Sequence, residues 1–388
     1  MPPEGLVPRL VPPSIEKAHP IAMRPRPLHS VIVIVGASLL PFLVLELAPR
    51  LPPVCTSTGA VVVDDQNPVM RYAPNQSYVW SKGWRFEIVN TGRINNYGFV
   101  NDQDYAKHAE DGPVVGIGDS YVEAMMVPYK QTVQGRLSHL LTSDRLVYSL
   151  GISGAQLADY LTFAQFAWNE FHPCAMVFIV VGNDFDESLA KYSTGPSYHF
   201  EQVASTSDFR LVRTDYRPSL WKSMIRHSAV VRYLWRAVGI EAISGVVLKK
   251  LGTSGRYVGN TAATVSQERL TDSQRAVDHF FRELSHRAGI PKSRILFVVD
   301  GVRPELYSGS DDGSGGNSYF HIMRRYFLAE ADRRGYEAID MQPRFVTRYQ
   351  LDGARFEFRI DGHWNGFGHE EAAEAIASSR TFQEIVPR

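Results

Sequence analysis

PVVGIGDSYVEA, Pro113 to Ala124, is the stretch whose reading decides the fold. Its first six residues form a short apolar run bounded by Gly and Asp. Such a run suits a strand buried on both faces of a parallel sheet. The rest turns sharply and starts a helix. Outward from this unit the same rhythm recurs. Residues 130–142 place Val133, Leu137, Leu140 and Leu141 on one helical face, and RLVYSLG (145–151) reads as a second strand. A helix over 155–170 leads to a third strand, AMVFIVVG (175–182). Later come a helix at 271–288, the strand RILFVVD (294–300), a helix near 318–334, the strand YEAIDM (336–341) and a final helix from about 366. Five strands alternating with helices predict an α/β fold, a doubly wound parallel sheet with helices on both faces. Residues 190–270 break the rhythm and read as an insertion of loops around a helical stretch. Residues 49–111 read as a lead-in of short strands and turns.

Composition narrows the classes. The chain has 388 residues, with 44% apolar and 21% charged content, ordinary for a globular protein able to bury a sizeable core. Its 41 basic and 41 acidic residues cancel, so no basic stripe for nucleic acid is expected. Two cysteines, Cys55 and Cys174, exclude a disulfide framework and a Cys-based zinc site. Cys174, at the head of an apolar run, reads as a small hydrophobe. One disulfide between the two is the alternative.

In an open parallel sheet, ligands bind beyond the carboxyl ends of the strands. Those ends carry Gly118-Asp119-Ser120-Tyr121, Gly151 with Ser153 and Gly154, Gly182-Asn183-Asp184, Asp300-Gly301-Val302-Arg303 and Asp361-Gly362-His363-Trp364-Asn365. A nucleophile, a base, a base-orienter and oxyanion donors are thus brought to one edge, the inventory for acyl transfer. Each element also has an ordinary reading. Asp119 or Ser120 can be a helix N-cap, Asn183 a turn residue, His363 a structural histidine and Asn365 a cap. A dinucleotide fingerprint at Gly116 and Gly118 fails because Tyr121 stands where the third glycine belongs. Asp361 and His363 have no further ligand cluster to make a metal pair. No cofactor is expected.

In combination these blocks resemble the SGNH/GDSL hydrolase superfamily. GIGDSYVEA is similar to its first block, Gly151 in YSLGISG to the second, Gly182-Asn183-Asp184 to the third, and Asp361 to Asn365 with Gly368 and His369 to the last. The resemblance implies a three-layer α/β/α sandwich. It also implies Ser120 as nucleophile, His363 as base, Asp361 as its orienter, and the Ser120 amide, the Gly151 amide and the Asn183 side chain as oxyanion donors. Two departures stand out. One residue, not two, separates Asp361 from His363, a D-x-H-W form like that of polysaccharide O-acetyltransferase relatives. Ser149 also stands where many relatives carry Asn. With the short spacing, the expectation is that Gly362 adopts φ > 0 so that both side chains reach the site. His369 is a rival base.

The N-terminal third adds a location. A polar, Pro-rich tail (1–29) precedes VIVIVGASLLPFLVL, Val31 to Leu45, which carries no charge. Residues 30–48 are expected to cross the inner membrane once, the length being near the roughly 20 residues needed. Lys17, Arg24 and Arg26 precede the segment and Arg50 follows it, which puts residues 51–388 outside the cytoplasm. The expected activity is a serine-dependent ester hydrolase or O-acyltransferase acting on an acylated envelope glycan. Two alternatives stand beside it. One is a lipase-like esterase, with the apolar stretch Trp221, Met224, Ile225, Val230, Val231, Leu234 and Trp235 as a lid. The other is a catalytically silent glycan-binding scaffold.

Overall fold

The computed structural model describes residues 27–47, 53–107, 112–141, 146–203, 208–215, 227–237, 257–258, 261–262, 264–308 and 317–385, except positions 57, 62 and 194. The chain divides into two units, Met1–Leu47 and Ala48–Arg388. In the second unit, the central sheet holds five strands: β3 (Val114–Gly118), β4 (Val147–Gly151), β5 (Ala175–Val180), β10 (Ile295–Val299) and β11 (Glu337–Asp340). Their spatial order is β11-β10-β5-β3-β4, and every pairing is parallel. The five expected strands are all present.

Alternation along the strands builds two cores. Val115, Ile117, Tyr148, Leu150, Phe178 and Phe297 face one side, against Phe163 of α4 (Leu157–Phe171), Phe280 of α6 (Gln267–Arg287) and Phe327 of α8 (Tyr319–Arg333). Val114, Val147, Val177, Ile179, Leu296 and Val298 face the other. There they meet Val133 and Leu137 of α3 (Val133–Leu140), Phe345 of α9 (Met341–Asp352) and Ile376 of α10 (Gly366–Ala377). A period of two sends successive residues to opposite faces, and burial on both faces explains why the strands lack polar alternation.

The differences from the sequence reading sit at element ends and in short elements. Leu140, placed on the buried face of a helix over 130–142, is half exposed at the last turn of α3. Helix α9 starts directly from β11 with Asp340 as its N-cap, and no expectation covered it. The polar part of the insertion contains a hairpin, β6 (Ser197–Gln202) with β7 (Phe209–Thr214). Of the insertion's helical stretch, residues 219–226, with Trp221, Met224 and Ile225, and residues 238–240 lie outside the described residues, while α5 (Ala229–Arg232) and a π-helical stretch (Tyr233–Ala237) are present. No disulfide joins Cys55 and Cys174, and Cys55 Sγ donates to the Ser81 carbonyl at 3.1 Å. The lead-in supplies one hairpin, β1 (Gln76–Lys82) and β2 (Ile88–Ile94), in full register.

In the first unit, α1 (Pro27–Leu47) covers the expected span and contains Pro41. Most of the tail expected at 1–29 lies outside the described residues, as do the side chains at positions 27–30, 34, 42 and 45 of α1. Among the described residues no helix is long and apolar enough to cross a membrane, so the structure does not bear out the span at 30–48.

Candidate active site

β3 ends at Gly118, and Asp119 caps the short helix α2 (Ser120–Glu123) by accepting from the Tyr121 amide at 2.9 Å. Ser120 is therefore the first helical residue, held beyond the sheet's carboxyl edge. Of the two cap candidates at this turn Asp119 is the cap, which leaves the Ser120 side chain available to meet other groups. Ser120 is buried, not partly exposed as a turn residue would be.

The last block does not form the sharp glycine turn expected of it. Asp361–Trp364 is a strand, β13, paired antiparallel with β12 (Glu357–Phe358) across an irregular register. Gly362 is absent from the positive-φ glycines. Residues i and i+2 of a strand share a face, so one intervening residue is what brings Asp361 and His363 together. His363 Nε2 lies 2.8 Å from Ser120 Oγ, while His363 Nδ1 contacts Asp361 Oδ1. A neutral imidazole donating from Nδ1 to the carboxylate leaves Nε2 as the acceptor for the serine proton. Ser120 Oγ also lies 3.2 Å from Asp119 Oδ2, a longer contact. Ser120, His363 and Asp361 are thus in hydrogen-bond succession.

Electrostatics support this order. Burial pushes the Asp361 carboxyl up, but the His363 hydrogen bond and charge, and the charge of Lys82, outweigh it and hold the group well below the usual range. Asp119 is pushed up to about 6, chiefly by burial. Asp184 is raised well above the ordinary value, by burial and then by the charge of Asp119.

The other sequence candidates are placed as follows. Gly151 sits opposite Gly118 in the β3–β4 register, at the same sheet edge as Ser120. A Cβ there would lie 2.8 Å from the Glu123 amide and 2.7 Å from Val122 Cβ. Glycine is needed for α2 to lie against β4. Asn183 sits in a 3-10 turn (Gly182–Asp184), and its Nδ2 donates to Glu187 Oε2 at 2.8 Å. Ser149 belongs to a buried polar cluster, donating to the Val100 carbonyl at 2.7 Å and accepting from Asn101 Nδ2 at 3.2 Å. The structure brings His363, and not the rival His369, into hydrogen-bond contact with Ser120. His369 is buried in α10, its Nδ1 accepts from the Val133 amide at 3.3 Å, and its pKa is pushed down to about 3, first by burial. Asn365 caps α10 through the amides of Phe367 and Gly368. Among the described residues no group of three or more His, Cys, Asp or Glu side chains could hold a metal ion.

Sequence reasoning missed the groups that hold β13. Arg303 is buried and donates to the Gly362 carbonyl at 2.8 Å and to the Tyr121 hydroxyl at 2.9 Å. Its guanidinium also pairs with Asp300 Oδ1 at 3.1 Å, and its Nε lies 3.1 Å from Glu357 Oε2 without hydrogen-bond alignment. Asp300 Oδ1 in turn accepts from Trp364 Nε1 at 2.9 Å. Asp300 and Arg303 were visible at a strand end but carried no spacing signal. Lys82 gave none, being 279 residues from its partner Asp361.

Two glycines make opposite predictions. Gly151→Ala is expected to push α2, and Ser120 with it, off the sheet edge, costing about 1–3 kcal/mol as an overpacked site does. Gly362→Ala, whose Cβ would meet nothing within 4 Å, is expected to change stability by no more than about 0.5 kcal/mol. Thermal melts of the two variants check both. A large loss in Gly362→Ala would restore the glycine turn that β13 replaces.

No protein-family model and no curated protein sequence matches the chain. Solved structures similar to it include a member of the lipolytic G-D-S-L family from Veillonella parvula DSM 2008. It is 9% identical, covers 68% of this chain and 94% of its own, and has a TM-score of 0.35. A lipase from a goat rumen metagenome is 10% identical, with 70% and 96% covered and a TM-score of 0.38. An acetyl xylan esterase is 13% identical, with 69% and 98% covered and a TM-score of 0.37. Scores this low decide neither fold nor chemistry, which rest on the sheet and the side chains themselves.

Proposed function

We propose that this chain is an SGNH-type serine hydrolase or O-acyltransferase acting on ester bonds. The observation that carries the reading is the 2.8 Å contact of His363 Nε2 with Ser120 Oγ, continued from Nδ1 to Asp361. His363 takes the Ser120 proton as Oγ attacks the ester carbonyl, and Asp361 steadies the imidazolium that forms. The proton then passes from His363 to the departing alkoxide. The acyl-enzyme is resolved by water or by an acceptor hydroxyl, activated through the same histidine. Oxyanion donors are the amides of Ser120 and Gly151, at neighbouring strand ends, with the Asn183 side chain once it turns from Glu187. One such donor is worth about 10²–10³ in rate. The silent-scaffold alternative is disfavoured, because a protein that only binds needs no aligned succession of this kind.

The substrate in this reading is an acyl, foremost acetyl, ester of an envelope glycan, suggested by the D-x-H-W block. The lipase-like alternative draws on Leu234 and Trp235, exposed on the insertion. The deciding experiment incubates the protein with a chromogenic acetyl ester, with and without a candidate glycan acceptor, and then weighs the glycan. Ester turnover with no mass gain is hydrolysis; a gain of acetyl mass is transfer. Absence of any turnover on acetyl and long-chain esters alike would sink the serine-enzyme reading.

The location belongs to the proposal too. The uncharged run Val31 to Leu45, with basic residues ahead of it, supports an anchor at 30–48 and a catalytic unit outside the cytoplasm. A periplasm-dependent reporter fused at the C-terminus is expected to be active. Release of the protein by carbonate would remove the anchor.

A further inference from the structure

The acid of the triad has a second partner that the chemistry above does not use. Asp361 Oδ1 serves His363, accepting from its backbone amide at 2.9 Å and facing its Nδ1. Asp361 Oδ2 faces away from the imidazole, and Lys82 Nζ lies 2.7 Å from it. The carboxylate is only 1% exposed, against 38% for the lysine side chain. Among the described residues Lys82 is the one lysine or arginine paired with Asp361.

Lys82 comes from a braced element. It is the last residue of β1 and pairs with Ile88 of β2. Ile88 is buried with Met126 and Val127, and Phe358 and Ile360 pack on that cluster just ahead of β13. Gly83, next to Lys82, has φ +91, and a Cβ there would come within 2.8 Å of Ile360 Cδ1. The tip of the hairpin therefore sits directly against the strand that carries the acid and the base.

We infer that Lys82 is a positioning residue of the triad, delivered by the β1–β2 hairpin to clamp the free oxygen of Asp361. The inference rests on the serine-hydrolase reading and adds a fourth member to its relay. Two effects follow from one contact. The carboxylate is fixed in the rotamer that meets Nδ1, and part of its negative charge is shared with an ammonium. Sharing that charge tempers the pull of Asp361 on the imidazolium that forms as Ser120 gives up its proton. Other titratable or charged groups lie on the elements around the triad. They are Arg85 and Glu87 in the hairpin, Asp119 before Ser120, Asp300 and Arg303 after β10, Glu357 on β12, and His369 on α10.

The test compares Lys82→Met and Lys82→Arg with the full-length wild type. The readout is the pH profile of kcat/KM on a chromogenic acetyl ester, with fluorophosphonate labelling of Ser120 in parallel. Lys82→Met is expected to lower kcat with little change in KM. It should also move the acid limb of the profile upward by about half a unit or more, a fraction of the 1–3 units that a directly contacting charge produces. Lys82→Arg should restore the limb. In an Asp361→Asn background the Lys82→Met effect should vanish, because the lysine acts only through that carboxylate. Thermal melts accompany each variant, and Lys82→Gln replaces the methionine variant if its melt loses cooperativity. An unshifted limb with wild-type kcat, or an undiminished effect in the Asp361→Asn background, overturns the inference and leaves the triad standing. A wild type that neither turns over ester nor takes the label overturns the triad itself.

Discussion

Ser120→Ala is expected to lower ester turnover by about 10⁴–10⁶-fold and to melt within a few degrees of the wild type. The size follows from the geometry. In the proposed mechanism Ser120 supplies the attacking oxygen, the group that His363 Nε2 meets at 2.8 Å. Stability should move little, since the change deletes one hydroxyl whose single proton goes to His363 or to Asp119, a bond worth about 0.5–1.5 kcal/mol. His363→Ala should be nearly as damaging, because members of a triad act as a unit. Asp361→Asn should be milder but still cost about 10³–10⁴-fold, by favouring the wrong tautomer. Initial rates on an acetyl ester measure all three, and an active-site fluorophosphonate should label wild type and miss Ser120→Ala. A purified Ser120→Ala protein that keeps a tenth of the activity would assign the nucleophile elsewhere.

The grouping of Ser120, His363 and Asp361 was legible because their signals are local. Gly118-Asp119-Ser120 follows an apolar run, and Asp361 and His363 precede a helix start marked by Asn365. The five strands and their burial on both faces were legible for the same reason, since five apolar runs recur between helical patterns; their spatial order, β11-β10-β5-β3-β4, was not. Local signal ended where contacts join distant segments. Lys82 reaches Asp361 across the length of the chain, and no spacing encodes that. The backbone of the last block was misread because a short spacing was assigned to a glycine turn when a strand serves it better. A bare Asp-Gly-His cannot reveal that it pairs with Glu357 and Phe358. The Asn183 expectation came from a motif. The structure shows the side chain bonded to Glu187, a local contact at i+4 that the motif does not carry.

Arg303→Leu is expected to be the most destabilising single change at the site, by about 3–5 kcal/mol, the cost of breaking a buried ion pair from one side. The guanidinium is 4% exposed, as is Asp300, and Glu357 is 16% exposed. Removing the cation strands two carboxylates away from water. It also strips one donor from the Gly362 carbonyl, leaving it the Tyr121 hydroxyl at 2.9 Å among the described residues. The midpoint of thermal unfolding should fall by about 5–15 °C. The pH dependence gives the cause away. Burial already pushes the Asp300 and Glu357 carboxyls up, and the charge of Arg303 opposes it. Without that charge both rise further in the folded protein. A carboxyl whose folded value lies above its unfolded one binds more protons when folded, so its stabilising contribution is present at low pH and lost as pH rises. The gap between variant and wild type should therefore be wide at pH 8 and narrow towards pH 5. A gap independent of pH would mean that lost packing, not stranded charge, accounts for the damage. Activity should fall as well, because β13 carries both Asp361 and His363, and a displacement near 1 Å costs about 10²-fold. Tyr121→Phe is the milder companion. It removes the other donor to the Gly362 carbonyl while leaving the charges balanced, so it should cost about 1 kcal/mol with no such pH dependence.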